Sequence, residues 1–246
     1  MRQAGRIAQD SRQELNRELK SDGSVVTAGD KLVEEYLRKA LPRLVPHANV
    51  WGEELGFAEE GVGGLWAVDP IDGTTNYAFG SPLWGTSVAL VQGSRVRAGA
   101  VFLPDLDELY FSSEDGGSTL NGQPLTAIQP GVIKPFELIS YSETVIRRHP
   151  WVRWPGKMRT SGSFVVEGAF VATQRFRGMV GIKEKLYDLA AVWLINKELG
   201  AEIRYATGKE FKIADLMQDR KISEAWLIFP KGSNFKLEEA PRGSLR

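Results

Sequence analysis

Trp66-Ala67-Val68-Asp69-Pro70-Ile71-Asp72-Gly73-Thr74-Thr75-Asn76 is the stretch on which the reading of the fold turns. Leu65 to Val68 is an apolar run of strand length that leads into Asp69-Pro70, and it reads as a buried strand. Two carboxylates three positions apart leave its end. Pro70 fixes φ between them, and Gly73 permits a turn in which Asp69, Asp72 and the Ile71 carbonyl could converge on hard cations. The amides of Gly73 and Thr74, leading into a helix from Thr75, would then meet a phosphate oxygen. An ordinary capped strand-to-helix turn with solvated aspartates uses the same residue types, so the stretch alone leaves both readings open.

Two further acid-bearing segments lie outward from it. Trp51-Gly52-Glu53-Glu54 places a carboxylate pair at the end of a short strand over 49–51, and Tyr187-Asp188-Leu189-Ala190-Ala191 places an acid on the first turn of an apolar helix. Asp188 alone is explained by the favourable charge of an acid at a helix start. Jointly, the segments supply the scattered oxygen ligands that octahedral Mg²⁺ prefers over a histidine cage. His47 and His149 sit beside Pro46 and Pro150 as surface-loop residues, with no second ligand at helical spacing. The chain has no cysteine, which excludes thiolate catalysis, disulfides and cysteine-based zinc sites.

The remaining elements follow from periodicity and punctuation. Residues 4–20 carry a sparse apolar stripe, Ile7, Ala8, Leu15 and Leu19, of a half-exposed helix. Ser21 to Ser24 is a turn, and Thr27 caps a helix with Leu32, Val33, Tyr36, Leu37 and Ala40 as its apolar face, ended by Pro42. Trp84 to Phe111 reads as an antiparallel meander, followed by a tight turn at Asn121-Gly122. Beyond it, a strand over 137–141, a helix over 163–173, a strand over 179–182, a helix over 187–199 and strands near Ile203 and over 225–229 indicate a mixed sheet covered by helices. The expected organisation is a single domain over 1–246, with an N-terminal α+β lobe of about 1–140 and a C-terminal α/β lobe of about 141–246.

At 246 residues and 42% apolar side chains, one substantial core is possible. Thirty-one basic residues balance thirty-one acidic ones, which disfavours a nucleic-acid or anionic-membrane partner. No apolar run approaches the roughly 20 residues of a bilayer span. The N-terminus lacks a secretory pattern, so a cytoplasmic chain is expected.

Taken in order, the segments resemble the inositol monophosphatase family of the lithium-sensitive, Mg²⁺-dependent phosphatase superfamily. The resemblance rests on the run from Lys20 to Asp30, Gly52-Glu53-Glu54, the Asp69 to Thr74 run, Arg159-Thr160-Ser161-Gly162-Ser163, and Tyr187 to Ala191 with Glu198-Leu199-Gly200. It implies an α/β (α+β) fold, a layered α/β/α/β/α sandwich of the inositol monophosphatase and fructose-1,6-bisphosphatase type. It implies two or three Mg²⁺ ions held by Glu53, Asp69, the Ile71 carbonyl, Asp72 and Asp188. Thr74 and Asp30 become the pair that orients and deprotonates a metal-activated water, Lys20 an approach to the metal loop, and Asp72, Gly73, Thr74, Gly162 and Ser163 the substrate contacts. A homodimer inhibited by Li⁺ is implied as well, with Trp151 and Trp154 available for a subunit contact or a lobe border.

Departures from the pattern concern the substrate. Gly181, seven positions before Asp188, stands where the inositol-specific members carry a glutamate; Phe164 follows the Gly-Ser turn in place of a small residue; Tyr187 replaces a tryptophan. Lys183 and Glu184 are candidates to compensate, and Arg175, Arg177, Lys183 and Lys185 could receive a second phosphate. Inositol monophosphate is the first expected substrate. Fructose-1,6-bisphosphate, histidinol phosphate and a 3′-phosphoadenosine nucleotide are alternatives, as are a non-catalytic metal-binding regulatory module and a nucleic-acid-associated protein.

Overall fold

The computed structural model describes residues 1–12, 17–19, 25–217, 223–233 and 235–237. The first half contains α1 (Arg2–Ser11), β1 (Arg17–Leu19), β2 (Val25–Thr27), α2 (Ala28–Ala40), β3 (Asn49–Gly52), β4 (Leu65–Asp72) and α3 (Thr74–Ala78). A meander follows: β5 (Gly85–Gln92), β6 (Arg95–Leu103), β7 (Glu108–Ser113), β8 (Gly117–Leu120) and β9 (Gln123–Pro124). The second half adds β10 (Leu138–Tyr141), α4 (Glu143–Arg148), β11 (Lys157–Arg159), α5 (Phe164–Ala172), β12 (Gly178–Gly181), α6 (Leu186–Glu198), β13 (Glu202–Tyr205) and β14 (Trp226–Phe229).

Strands β3 to β9 form one sheet in chain order, with β3 and β4 parallel and the rest antiparallel. The apolar run of β4 is explained by burial on both faces. Trp66 and Val68 join Ala4 and Ala8 of α1 and Val33 and Leu37 of α2, while Leu65 and Ala67 join α5 and α6 on the opposite face. The second sheet, in the order β11-β10-β12-β14-β13, is mixed. Its Met179, Trp226 and Ile228 face α5 and α6, and its Val180, Leu227 and Phe229 pack outward with Val145 of α4. The layers therefore run α1/α2, first sheet, α5/α6, second sheet, α4, which is the α/β/α/β/α sandwich. Helices α5 and α6, apolar nearly all round, are the middle layer, where both flanks are protein. Each fully buried Leu or Ile there contributes about 1.5–3 kcal/mol of transfer free energy.

Two local expectations change. The first helix stops at Ser11 instead of reaching residue 20, and Arg17–Leu19 pairs antiparallel with Val25–Thr27. Lys20 and the turn from Ser21 to Ser24 lie outside the described residues. On α2, Leu32 is 47% exposed and the buried stripe is Asp30, Val33, Glu34 and Leu37, so two acids occupy a face that apolar periodicity would fill with leucine. Trp154 packs on Tyr141 and Phe235 within the outer cluster, an intramolecular contact.

Candidate active site

In a regular strand, residues three apart point to opposite faces. Asp69 and Asp72 share a face because β4 carries one extra residue between them: Asp69 pairs with Ser87 but Asp72 with Gly85. This bulge sends Ile71 into the α1/α2 core and returns Asp72 to the α5/α6 side. Pro70 is tolerated there because a bulge relieves it of ladder donation, and its carbonyl accepts from Thr86 Oγ1 at 2.8 Å.

Glu53 arrives by the same sheet logic. Parallel pairing of Gly52 with Val68, continued by the Glu53 N–H to the Val68 carbonyl at 3.1 Å, sets Glu53 beside Asp69. Asp188 comes from the first turn of α6, where its Oδ2 accepts from the Lys185 N–H at 2.7 Å. Carboxylate oxygens of Glu53, Asp69 and Asp188 lie within 4.8 Å of one another. Burial first, then the charges of Glu53, Asp72 and Asp188, holds the Asp69 carboxyl well above the ordinary range; burial and then Glu53 do the same to Asp188. Two unit charges 4 Å apart repel by about 4 kcal/mol at an effective dielectric of 20, so the ionised set needs a cation. Asp69 Oδ1 is buried and has no hydrogen-bond partner among the described residues. An all-oxygen set with an orphaned buried acceptor fits a hard divalent ion such as Mg²⁺.

Asp72 is anchored to the middle layer: its Oδ2 accepts from Ser163 Oγ at 2.5 Å and from the Val165 N–H at 2.8 Å. Burial pushes its carboxyl up to about 7, against those two bonds. Gly73 follows at φ +83°, and a Cβ there would lie 2.9 Å from Ser163 Cβ, so both the backbone conformation and the space demand glycine. Asn76 locks the opposite side of the cleft, donating to the Ser161 carbonyl at 2.7 Å and the Leu83 carbonyl at 2.6 Å. The helix expected from Thr75 begins at Thr74 and spans only five residues, so it offers N–H groups rather than a macrodipole.

Thr74 and Asp30 meet across the first sheet and α2. Thr74 Oγ1 shares its hydrogen between Asp30 Oδ1 at 3.2 Å and the Ile71 carbonyl at 3.0 Å. Asp30 Oδ2 accepts from the Thr27 N–H at 2.8 Å and Thr27 Oγ1 at 2.6 Å, so Asp30 is a helix-start acid and a Thr74 partner at once. Burial pushes the Asp30 carboxyl up to about 6.

The expected metal ligands, Gly73 and Thr74 face one cavity of about 320 Å³, with Asp30 buried behind Thr74. Glu53, Asp69, Ile71, Asp72, Gly73, Thr74 and Asp188 form one wall, and Gly162, Phe164, Ile182, Lys183 and Glu184 the other. Ser163, expected against the substrate, is instead 2% exposed and caps α5 behind that wall. A larger hollow of about 1120 Å³ lies among Arg148, Trp151, Arg204 and Phe235 and contains none of the expected site residues.

Residues 1–226 match the inositol monophosphatase family. The chain belongs to that family. A fructose-1,6-bisphosphatase/inositol-1-monophosphatase of Aquifex aeolicus is 31% identical over 222 residues, covering 87% of this chain and 84% of that protein. The solved inositol monophosphatase of Thermotoga maritima superposes with a TM-score of 0.79 at 26% identity, over 93% of this chain and 88% of that one. A dual inositol monophosphatase/NADP phosphatase complexed with Mg²⁺ and phosphate has the same fold, with a TM-score of 0.78 at 20% identity over 93% and 87% of the two chains.

Within this inositol monophosphatase family member, some supporting residues escaped the motif reading. Glu34, fully buried, accepts from the Glu54 and Leu55 N–H groups at 2.8 and 3.1 Å and pairs with Arg38 at 2.9 Å, pinning the segment that carries Glu53. Its signal was the four-residue spacing from Asp30 on one helix face. Glu167 accepts from the Ser161 N–H and hydroxyl, both at 2.8 Å, and fixes the turn that presents Gly162. Of the basic cluster expected for a second phosphate, Lys183 lines the cavity, whereas Arg175 pairs with Glu108 and Arg177 holds the Gln129 and Gly131 carbonyls.

Proposed function

We propose that this phosphatase hydrolyses a small phosphate monoester with Mg²⁺, inositol monophosphate being the first candidate. The observation that carries the reading is the convergence of Glu53, Asp69 and Asp188 within 4.8 Å, beside the Thr74 and Asp30 pair. Glu53, Asp69, Asp72, the Ile71 carbonyl and Asp188 would hold the ions. When bound, Mg²⁺ supplies positive charge to the phosphoryl oxygens and acidifies water.

The residues themselves divide the remaining work. Thr74 Oγ1 donates to Asp30, which leaves its lone pairs to accept from a water lined up with the phosphorus atom. A carboxyl at about 6 suits proton acceptance near neutral pH, so Asp30 receives the water proton through the threonine hydroxyl. The water oxygen bonds to phosphorus as the ester P–O bond breaks, and the departing alkoxide is protonated from solvent. Gly73 and Thr74 N–H groups orient the phosphoryl oxygens, and Asp72 is kept in place by Ser163 and Val165. Family membership also supports Li⁺ inhibition, a homodimer and a cytoplasmic location; sizing chromatography tests the second.

Release of inorganic phosphate from inositol 1-phosphate, fructose 1,6-bisphosphate, histidinol phosphate and 3′-phosphoadenosine 5′-phosphate, with Mg²⁺ or with EDTA, tests the proposal. Mg²⁺-dependent turnover of at least one compound is expected. No release above the EDTA control from any of them would leave only a metal-binding module.

A further inference from the structure

Two buried polar atoms stand on paired strands beneath the acid cluster. Asp69 Oδ1 and Ser87 Oγ are both enclosed, and neither has a hydrogen-bond partner among the described residues. Asp69 of β4 pairs with Ser87 of β5 at the last regular position before the bulge. Paired residues of an antiparallel ladder share a face, with Cβ atoms about 4.5–5.5 Å apart. The face is the α5/α6 side, because Ala67, two positions before Asp69, and Ala89, two positions after Ser87, both belong to the core there. That span lies within reach of a carboxylate and a serine hydroxyl once the serine takes the matching staggered χ1.

Nothing else at position 87 calls for a hydroxyl. Its partner on β6 is Val101, and Ala67, Ala89 and Val101 are all members of the buried apolar core, so alanine would pack there equally well. Of the two cross-strand partners, only Asp69 carries a polar side chain. Neighbouring Thr86 already has its acceptor, the Pro70 carbonyl at 2.8 Å. Strand β5 therefore presents two consecutive hydroxyls to two consecutive residues of β4, one of them satisfied and one not. A buried hydroxyl without an acceptor carries a desolvation cost, so Ser87 weakens the ion-free fold.

We propose that Ser87 is a positioning residue for the ion site: its hydroxyl donates to Asp69 Oδ1 when Mg²⁺ is bound and sets the rotation of that carboxylate. This deepens the function proposed above and rests on it, since Asp69 must be an ion ligand for its orientation to matter. A carboxylate has about four lone-pair positions, so Asp69 accepts from Ser87 and still holds an ion. A hydroxyl on an ionised carboxylate makes a charge-assisted bond about twice as strong as a neutral one, and groups hydrogen-bonded to a metal ligand commonly set affinity. The same hydroxyl thus lowers the stability of the empty protein and raises the affinity of the loaded one.

Calorimetric titration with Mg²⁺ and thermal melts in EDTA, on wild type and Ser87→Ala, test the assignment. The variant should bind Mg²⁺ about tenfold more weakly. Its Tm in EDTA should equal or exceed that of wild type. At one Mg²⁺ concentration well above both dissociation constants, its gain in Tm should be about 3–5 °C smaller. Ser87→Cys keeps nearly the same shape with a much weaker donor, should lose affinity in the same direction, and serves if Ser87→Ala does not fold. A serine that only packs the core would lower Tm equally with and without Mg²⁺ and leave the affinity alone; that pattern, or an unchanged affinity in either variant, overturns the assignment. If wild type itself neither binds Mg²⁺ nor gains Tm from it, the ion site has failed, and the role of Ser87 with it.

Discussion

The two walls of the cavity are built by different rules. On the acid wall, each carboxylate is fixed by regular secondary structure: Glu53 by parallel register, Asp69 and Asp72 by a bulged strand, Asp188 by a helix start. On the facing wall, a turn at Gly162 and a bend at Lys183 do the positioning, through side chains that come from elsewhere in the chain, Glu167 and Trp226. The acids are therefore held by regular elements, and the residues beside them by loops.

Breaking the acid wall should have the largest effect. Asp69→Asn and Asp188→Asn are each expected to lower turnover by at least about 100-fold at saturating Mg²⁺, since each removes a charged oxygen from a cluster whose members lie within 4.8 Å. Phosphate-release rates near wild type in both would refute the cluster as the ion site. Thr74→Ala should lower kcat by about 100-fold with the Mg²⁺ dependence unchanged, and Thr74→Ser should restore most of it, because only the hydroxyl links water to Asp30.

A smaller effect is expected one step behind the wall. Glu34→Gln weakens the hold on the Glu54 and Leu55 amides, so about tenfold more Mg²⁺ should be needed for half-maximal activity while kcat changes little. An unchanged Mg²⁺ titration would reduce Glu34 to a structural ion pair with Arg38. The pH dependence of stability sharpens the comparison further. Asp30 and Asp72 have folded values pushed from 3.8 up to about 6 and about 7, and Asp69 and Asp188 are raised too. Raised folded values mean that the folded state binds more protons than the unfolded one. Metal-free stability should thus fall as pH rises from about 4 through about 7. In thermal melts with EDTA, Tm should drop between pH 5 and pH 8, and millimolar Mg²⁺ should recover about 5–10 °C at pH 8 and less at pH 5. A metal-free Tm that climbs over this interval would contradict the buried, self-repelling cluster. The smallest effect belongs to Leu32→Ser, within about 0.5 kcal/mol by denaturant titration, because that leucine is half exposed.

Legibility followed the same divide. The Asp69 to Gly73 run, Gly52-Glu53-Glu54 and the Asp188 helix start could be read because strand ends, turn residues and helix caps are local properties of sequence. Leu32 misled because periodicity assigns the apolar residue inward, whereas here Asp30 and Glu34 take the buried face and find partners in Thr27, Thr74, Arg38 and the 54–55 amides. Glu184 was visible as a residue near Asp188, but its hydrogen-bond donor is Trp226, more than forty positions away.

By itself, the sequence determined that apolar strands and helices would layer around a set of acids suited to Mg²⁺, because alternation, helical period and turn chemistry act over a few residues at a time. Only the tertiary structure decided that Asp69 and Asp72 share a face through a one-residue bulge. It alone also showed that the Trp226 ring fills the space beside Gly181 and donates its indole N–H to Glu184. Those outcomes depend on register between strands and on packing between layers, and both are set by contacts among residues far apart in the chain.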